Sequence, residues 1–77
     1  MREISAKECQ TGFGEFIKAA RLKKDMYQQE LADKVGITQV YSSYLERGER
    51  NIDLALAIKL CDALNVDIRE FILTYMQ

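Results

Sequence analysis

Residues 28–48 read QQELADKVGITQVYSSYLERG, and the fold turns on how this stretch is divided. Leu31, Ala32 and Val35 share one face of a helix that Gln28 opens and Gly36 ends. Gly36 permits a sharp bend, because a left-handed backbone costs least at glycine. Thr38 can cap the next helix by accepting from an unpaired amide of its first turn. That helix covers about 39–47 and stops at Gly48.

Two short helices joined at a steep angle by a tight glycine-containing turn form a helix-turn-helix pair. Ala32 suits it, since a larger side chain would push the crossing helices apart, and Ile37 plugs the turn. On the second helix Tyr41 and Leu45 lie with Ser42, while Gln39, Ser43 and Arg47 lie on another face beside Val40 and Tyr44. If Leu45 points inward, that second face either packs on a neighbouring helix or reads a major groove. Amides and hydroxyls bond base edges there, and an aliphatic side chain meets a thymine methyl.

Outward from this pair the pattern stays helical. Phe13, Phe16, Ile17 and Ala20 fall at i, i+3, i+4 and i+7 of a helix reaching Lys24, with Asp25 where a glycine would stop it more easily. Asp53 caps a helix whose inward stripe is Leu54, Ala57, Ile58, Cys61 and Leu64. Asp67 followed by Glu70 resembles a capping box and opens a last helix carrying Ile68, Phe71, Ile72, Tyr75 and Met76. Residues 1–11 show no sustained period and are expected to form an N-terminal arm, frayed or carrying a short extra turn, ahead of a domain over 12–77. The expectation is an all-α, compact five-helix domain.

The chain has 77 residues, no proline and no histidine. One small core is all that such a length supports, which favours a partner subunit. No segment approaches the roughly 18 apolar residues of a membrane span. Cys9 and Cys61 are too few for a disulfide framework, and a cytoplasmic location is expected. No metal, cofactor or small-molecule ligand is expected, and no enzyme: there is no nucleophile–base pair, ligand cluster or phosphate loop. Net charge is −1; residues 12–50 carry seven basic and six acidic side chains, and residues 51–77 two and four. Any nucleic-acid binding must therefore come from placed contacts rather than a broad positive surface.

QQELADKVGITQVYSSYLERGERNI resembles the helix-turn-helix of the Cro/phage-repressor (Xre-type) family. FGEFIKAARLKK is similar to that family's first helix, and ERGERNIDLALAIKLCDALNV to its exit loop and fourth helix. The ERGERNI segment is also similar to the controller proteins of restriction–modification systems. The resemblance implies a repressor-like DNA-binding domain. Gln39, Val40, Ser43 and Tyr44 take the positions that face bases, and Gln28, Thr38, Arg47, Arg50 and Asn51 those that hold phosphates. Arg21 and Glu46 match the family's structural ion pair. Three positions depart from the family: Ser42 replaces a buried aliphatic residue, leaving space for Tyr41 or Met26 to fill; Tyr27 replaces a hydroxyl cap; and Asp25 replaces glycine.

The function expected is sequence-specific binding of double-stranded DNA by a dimeric transcriptional regulator, on an operator that is an inverted repeat. The last helix would supply the homodimer contact through Ile72, Tyr75 and Met76. The competing expectation is a protein–protein module, such as an antitoxin or adaptor, in which DNA binding is secondary. The acidic C-terminal third favours it.

Overall fold

The computed structural model describes residues 3–75, the side chain of Tyr75 excepted. Five helices follow one another: α1 (Ala6–Lys23), α2 (Gln28–Val35), α3 (Gln39–Glu46), α4 (Leu54–Ala63) and α5 (Ile68–Tyr75). Their connections are short, the longest being residues 47–53.

The first helix begins earlier than its apolar period indicated. Ser5 accepts from the Glu8 N–H at 3.0 Å, and the Glu8 carboxylate accepts from the Ser5 N–H at 3.5 Å. This reciprocal cap satisfies two donors that the first turn leaves open. Residues 6–11, expected as an arm, are thus the opening turns of α1, and Cys9 packs against the core.

Helix ends follow their local chemistry. Asp25 adopts φ 53°, the Asp25 N–H bonds the Leu22 carbonyl and the Met26 N–H bonds the Arg21 carbonyl. Aspartate thus closes α1 in the left-handed pattern glycine usually serves, and Asn65 (φ 54°) closes α4 likewise. Gly36 (φ 79°) ends α2 and Gly48 (φ 73°) follows α3. Thr38 caps α3 through the Tyr41 N–H at 3.1 Å, and Asp53 caps α4 through the Leu56 N–H at 2.8 Å. Tyr27 makes no side-chain cap; instead the Glu30 carboxylate accepts from the Tyr27 N–H at 2.9 Å. At α5 the Asp67 carboxylate takes the Arg69 N–H at 2.9 Å as well as its guanidinium, while the Glu70 N–H goes to the Asp67 carbonyl. The Arg69 side-chain hydrogen bond holds the Asp67 carboxyl below the usual carboxylate range.

The core joins Phe13 and Ile17 of α1 to Leu31, Leu45, Ala57, Leu60, Leu64 and Phe71. Phe13 and Phe71 meet edge to face with centroids 5.1 Å apart, an arrangement that adds to simple burial. The expected inward stripe of α4 is partly wrong. Leu60 is buried, whereas Leu54 and Ile58 are 71% and 53% exposed. The stripe read from the sequence mixed two faces of a helix that is apolar almost all round.

Ser42 is buried at 1% exposure, where an aliphatic side chain would have filled more space. A narrow seam remains, lined by Gly14, Ile17, Ser42, Leu45, Ile52 and Leu60 among others. Neither Tyr41 nor Met26 lines it. The seam is too narrow to admit a water molecule, so Ser42→Val should overpack it and cost about 1–3 kcal/mol. A rise in the urea midpoint would show instead that the seam accepts the two methyl groups.

Candidate nucleic-acid interface

The placement of α3 starts from a buried ion pair. Arg21 Nε donates to Glu46 Oε2 at 2.7 Å and Nη2 to Oε1 at 3.0 Å, with side chains 8% and 2% exposed. Arg21 Nη1 also donates to the Met26 carbonyl at 2.6 Å. A bidentate pair so deeply buried fixes geometry as well as energy. It ties the end of α1 to the last turn of α3.

Glu46 extends this order to the start of both helices. Gln28 Nε2 donates to Glu46 Oε1 at 3.1 Å, and Gln39 Nε2 donates to Gln28 Oε1 at 2.6 Å. A carboxylate only accepts, so each amide in the row has one permitted direction. The Gln28 side chain is therefore engaged in the free protein. Its residue still opens α2, whose first N–H groups lack intrahelical partners and suit an anion.

The side of α3 turned to the core is Ser42, Leu45 and Glu46. Val40 is 61% exposed, and Gln39, Ser43 and Tyr44 are half-buried. Arg47 Nη1 donates to Ser43 Oγ at 3.0 Å and Arg47 pairs with Glu49 at 3.2 Å. The guanidinium carbons of Arg47 and Arg50 lie 4.9 and 5.3 Å from the Tyr44 ring centroid, within cation–π range. The structure thus brings Ser43, Tyr44, Arg47 and Arg50 into one polar cluster. Thr38 stands at the opposite end of α3, and the Asn51 carbonyl accepts a long 3.5 Å bond from the Tyr41 hydroxyl.

Several positioning residues were not singled out by the sequence. A Cβ on Gly14 would collide with the Leu45 carbonyl oxygen and lie 2.9 Å from that of Glu46. The backbones of α1 and α3 therefore touch there. A Cβ on Gly48 would sit 2.7 Å from Thr11 Cα. Gln10 Nε2 and Lys7 Nζ both donate to the Gly48 carbonyl, at 2.8 and 3.3 Å. An interior helical glycine was the available signal for Gly14.

Away from α3, Ile72 is 43% exposed and lies beside the uncovered Leu54 in a groove of about 500 Å³ floored by Phe13, Ala57 and Ile68. The Tyr75 side chain and Met76, expected at a dimer contact, lie outside the described residues. Burial, with the Asp67 carboxylate adding to it, pushes the Cys61 thiol up and keeps it neutral. Among the described residues no cluster could hold a metal ion, and no helix is long and apolar enough to cross a membrane.

Two crossing helices with a glycine bend, held by a buried ion pair beneath an exposed polar face, define a helix-turn-helix domain. A family model described as Helix-turn-helix matches residues 17–71. The chain belongs to the Xre-type helix-turn-helix family, and with it to the DNA-binding transcriptional regulators. It is 39% identical over 54 residues to an uncharacterized HTH-type transcriptional regulator of Archaeoglobus fulgidus, covering 70% of this chain and 76% of that one. Among solved structures it is similar to the restriction–modification controller protein C.AhdI of Aeromonas hydrophila, at 34% identity and a TM-score of 0.75 over 80% of this chain and 94% of that one. It is also similar to the controller protein C.Esp1396I, solved as a tetramer with its 35 base-pair operator, at 29% identity and a TM-score of 0.75 over 86% and 87% of the two chains.

Proposed function

We propose that the protein is a cytoplasmic, homodimeric regulator, repressor or controller, that binds an inverted-repeat operator and reads its major groove with α3. The observation that carries this reading is the division of α3 into a buried side, Ser42, Leu45 and Glu46, and a more open side on which Val40 is exposed and Ser43 and Tyr44 are half-buried. Gln39, Val40, Ser43 and Tyr44 meet base edges. Thr38, Arg47, Arg50, Asn51 and the start of α2 at Gln28 hold phosphates, which position the protein without selecting sequence. No cofactor or catalytic step belongs to this reading. Dimerisation doubles the few contacts a near-neutral subunit can make, on half-sites about 34–36 Å apart. Leu54 and Ile58 join Ile72, Tyr75 and Met76 as the apolar surface proposed to pair.

Selection of random duplexes by the purified protein, followed by sequencing, tests this directly. Enrichment of an inverted repeat is the expected result; a folded sample that enriches nothing would favour the protein–protein module instead. Two variants divide the labour between residues. Gln39→Ala should cost roughly 1–3 kcal/mol at particular base pairs and relax selectivity there. Arg50→Ala should weaken binding to all sequences alike and lower the salt slope by about one unit. An equal loss on every duplex for Gln39→Ala would remove it from the base-reading set.

A further inference from the structure

We propose that Gln10 and Lys7, on the opening turns of α1, are positioning residues for the loop that carries Arg50 and Asn51; the inference rests on the DNA reading above. That loop leaves α3 at Gly48, whose left-handed backbone lies directly against Thr11. The three N–H groups that follow α3 turn back into it, Arg47 to the Ser43 carbonyl, Gly48 to the Leu45 carbonyl and Glu49 to the Tyr44 carbonyl. The Gly48 carbonyl points the other way and receives two donors from α1, Gln10 at 2.8 Å and Lys7 at 3.3 Å. The carbonyl has two lone pairs, and the two donors can occupy both.

Two turns of α1 therefore fix the peptide plane from which residues 49–51 emerge. Fixing that plane before DNA arrives avoids ordering the loop during binding. Four residues further along α1, Gly14 brings the same helix against the Leu45 and Glu46 carbonyls. One continuous edge of α1 thus sets both the end of α3 and the course of the loop. Neither Gln10 nor Lys7 needs to touch DNA for this.

Gln10→Met removes the shorter bond without changing charge or side-chain length. Hydrogen exchange at the Glu49 amide should quicken by about ten-fold, with α4 amides unaffected. Affinity for a duplex of random sequence should fall by about ten-fold, and its salt slope by about one unit as a phosphate contact loosens. Lys7→Arg, which keeps donor and charge, should remain near the wild-type values in both. Unchanged Glu49 exchange in Gln10→Met would overturn the proposal, and so would faster exchange with wild-type affinity and slope. Wild-type protein that bound no duplex would instead refute the DNA reading, and with it the role assigned to the loop, while the exchange measurement would still report whether Gln10 holds Gly48.

Discussion

Glu46→Ala should cost about 3–5 kcal/mol of folding stability, the range for removing one partner of a buried ion pair. The Arg21 guanidinium would stay buried, still donating to the Met26 carbonyl, and Gln28 would lose the acceptor that orients it. A domain of this length holds roughly 4–12 kcal/mol in total, so the loss is a large share of its stability and the urea midpoint should fall steeply. Urea unfolding followed by circular dichroism measures the loss. The double change Arg21→Met/Glu46→Leu should recover most of it, because apolar side chains replace a buried pair at little cost when both charges go together. A loss below about 1 kcal/mol for Glu46→Ala would mean that the pair behaves as an exposed one. DNA selectivity gives a second readout: the stable double variant should still discriminate poorly at the base pair we propose Gln39 to read, because its hydrogen-bonding partner Gln28 would be released.

Gly14→Ala should destabilise the protein although it adds a single methyl to a helix. Alanine is worth about 1 kcal/mol more than glycine inside a helix, but here its Cβ meets two carbonyl oxygens of the α3 backbone, which cannot rotate away as a side chain would. Helix α1 must shift or tilt, and we expect a net loss of about 2–3 kcal/mol from overpacking, with a weaker operator complex because the end of α3 moves too. Gly36 offers the control. Its Cβ would meet nothing within 4 Å, so Gly36→Ala carries only the left-handed penalty of roughly 1–2 kcal/mol. If the two variants unfolded at the same urea concentration, close approach would not be what Gly14 provides.

That contrast marks where the sequence could be read and where it could not. The turn glycine stands in a local pattern: apolar residues before it, an aliphatic residue and a cap after it. Gly14 is constrained by carbonyls more than thirty positions away, and no window along the chain contains them. Residues 1–11 are a different case. Ser5-Ala6-Lys7-Glu8 carries the capping pattern in plain view, but without an apolar period around it the start of α1 passed as irregular. On α4 the difficulty was excess: with eight of ten residues apolar, helical spacing fits more than one stripe, and only packing decides that Leu60 goes in while Leu54 and Ile58 stay out. The Arg21–Glu46 pair came through the family resemblance, since opposite charges twenty-five residues apart carry no signal of contact by themselves.

The short connections between consecutive helices bear on time as well as shape. Helical domains built largely from near-neighbour contacts fold in microseconds to milliseconds. Synthesis of 77 residues takes roughly 4–15 s at about 5–20 residues per second. A domain of this kind is therefore native almost as soon as its residues are free of the ribosome. For a DNA-binding transcriptional regulator, the delay between a change in expression and a change in promoter occupancy is then set by translation rather than by folding. Maturation of the polypeptide adds nothing measurable to it.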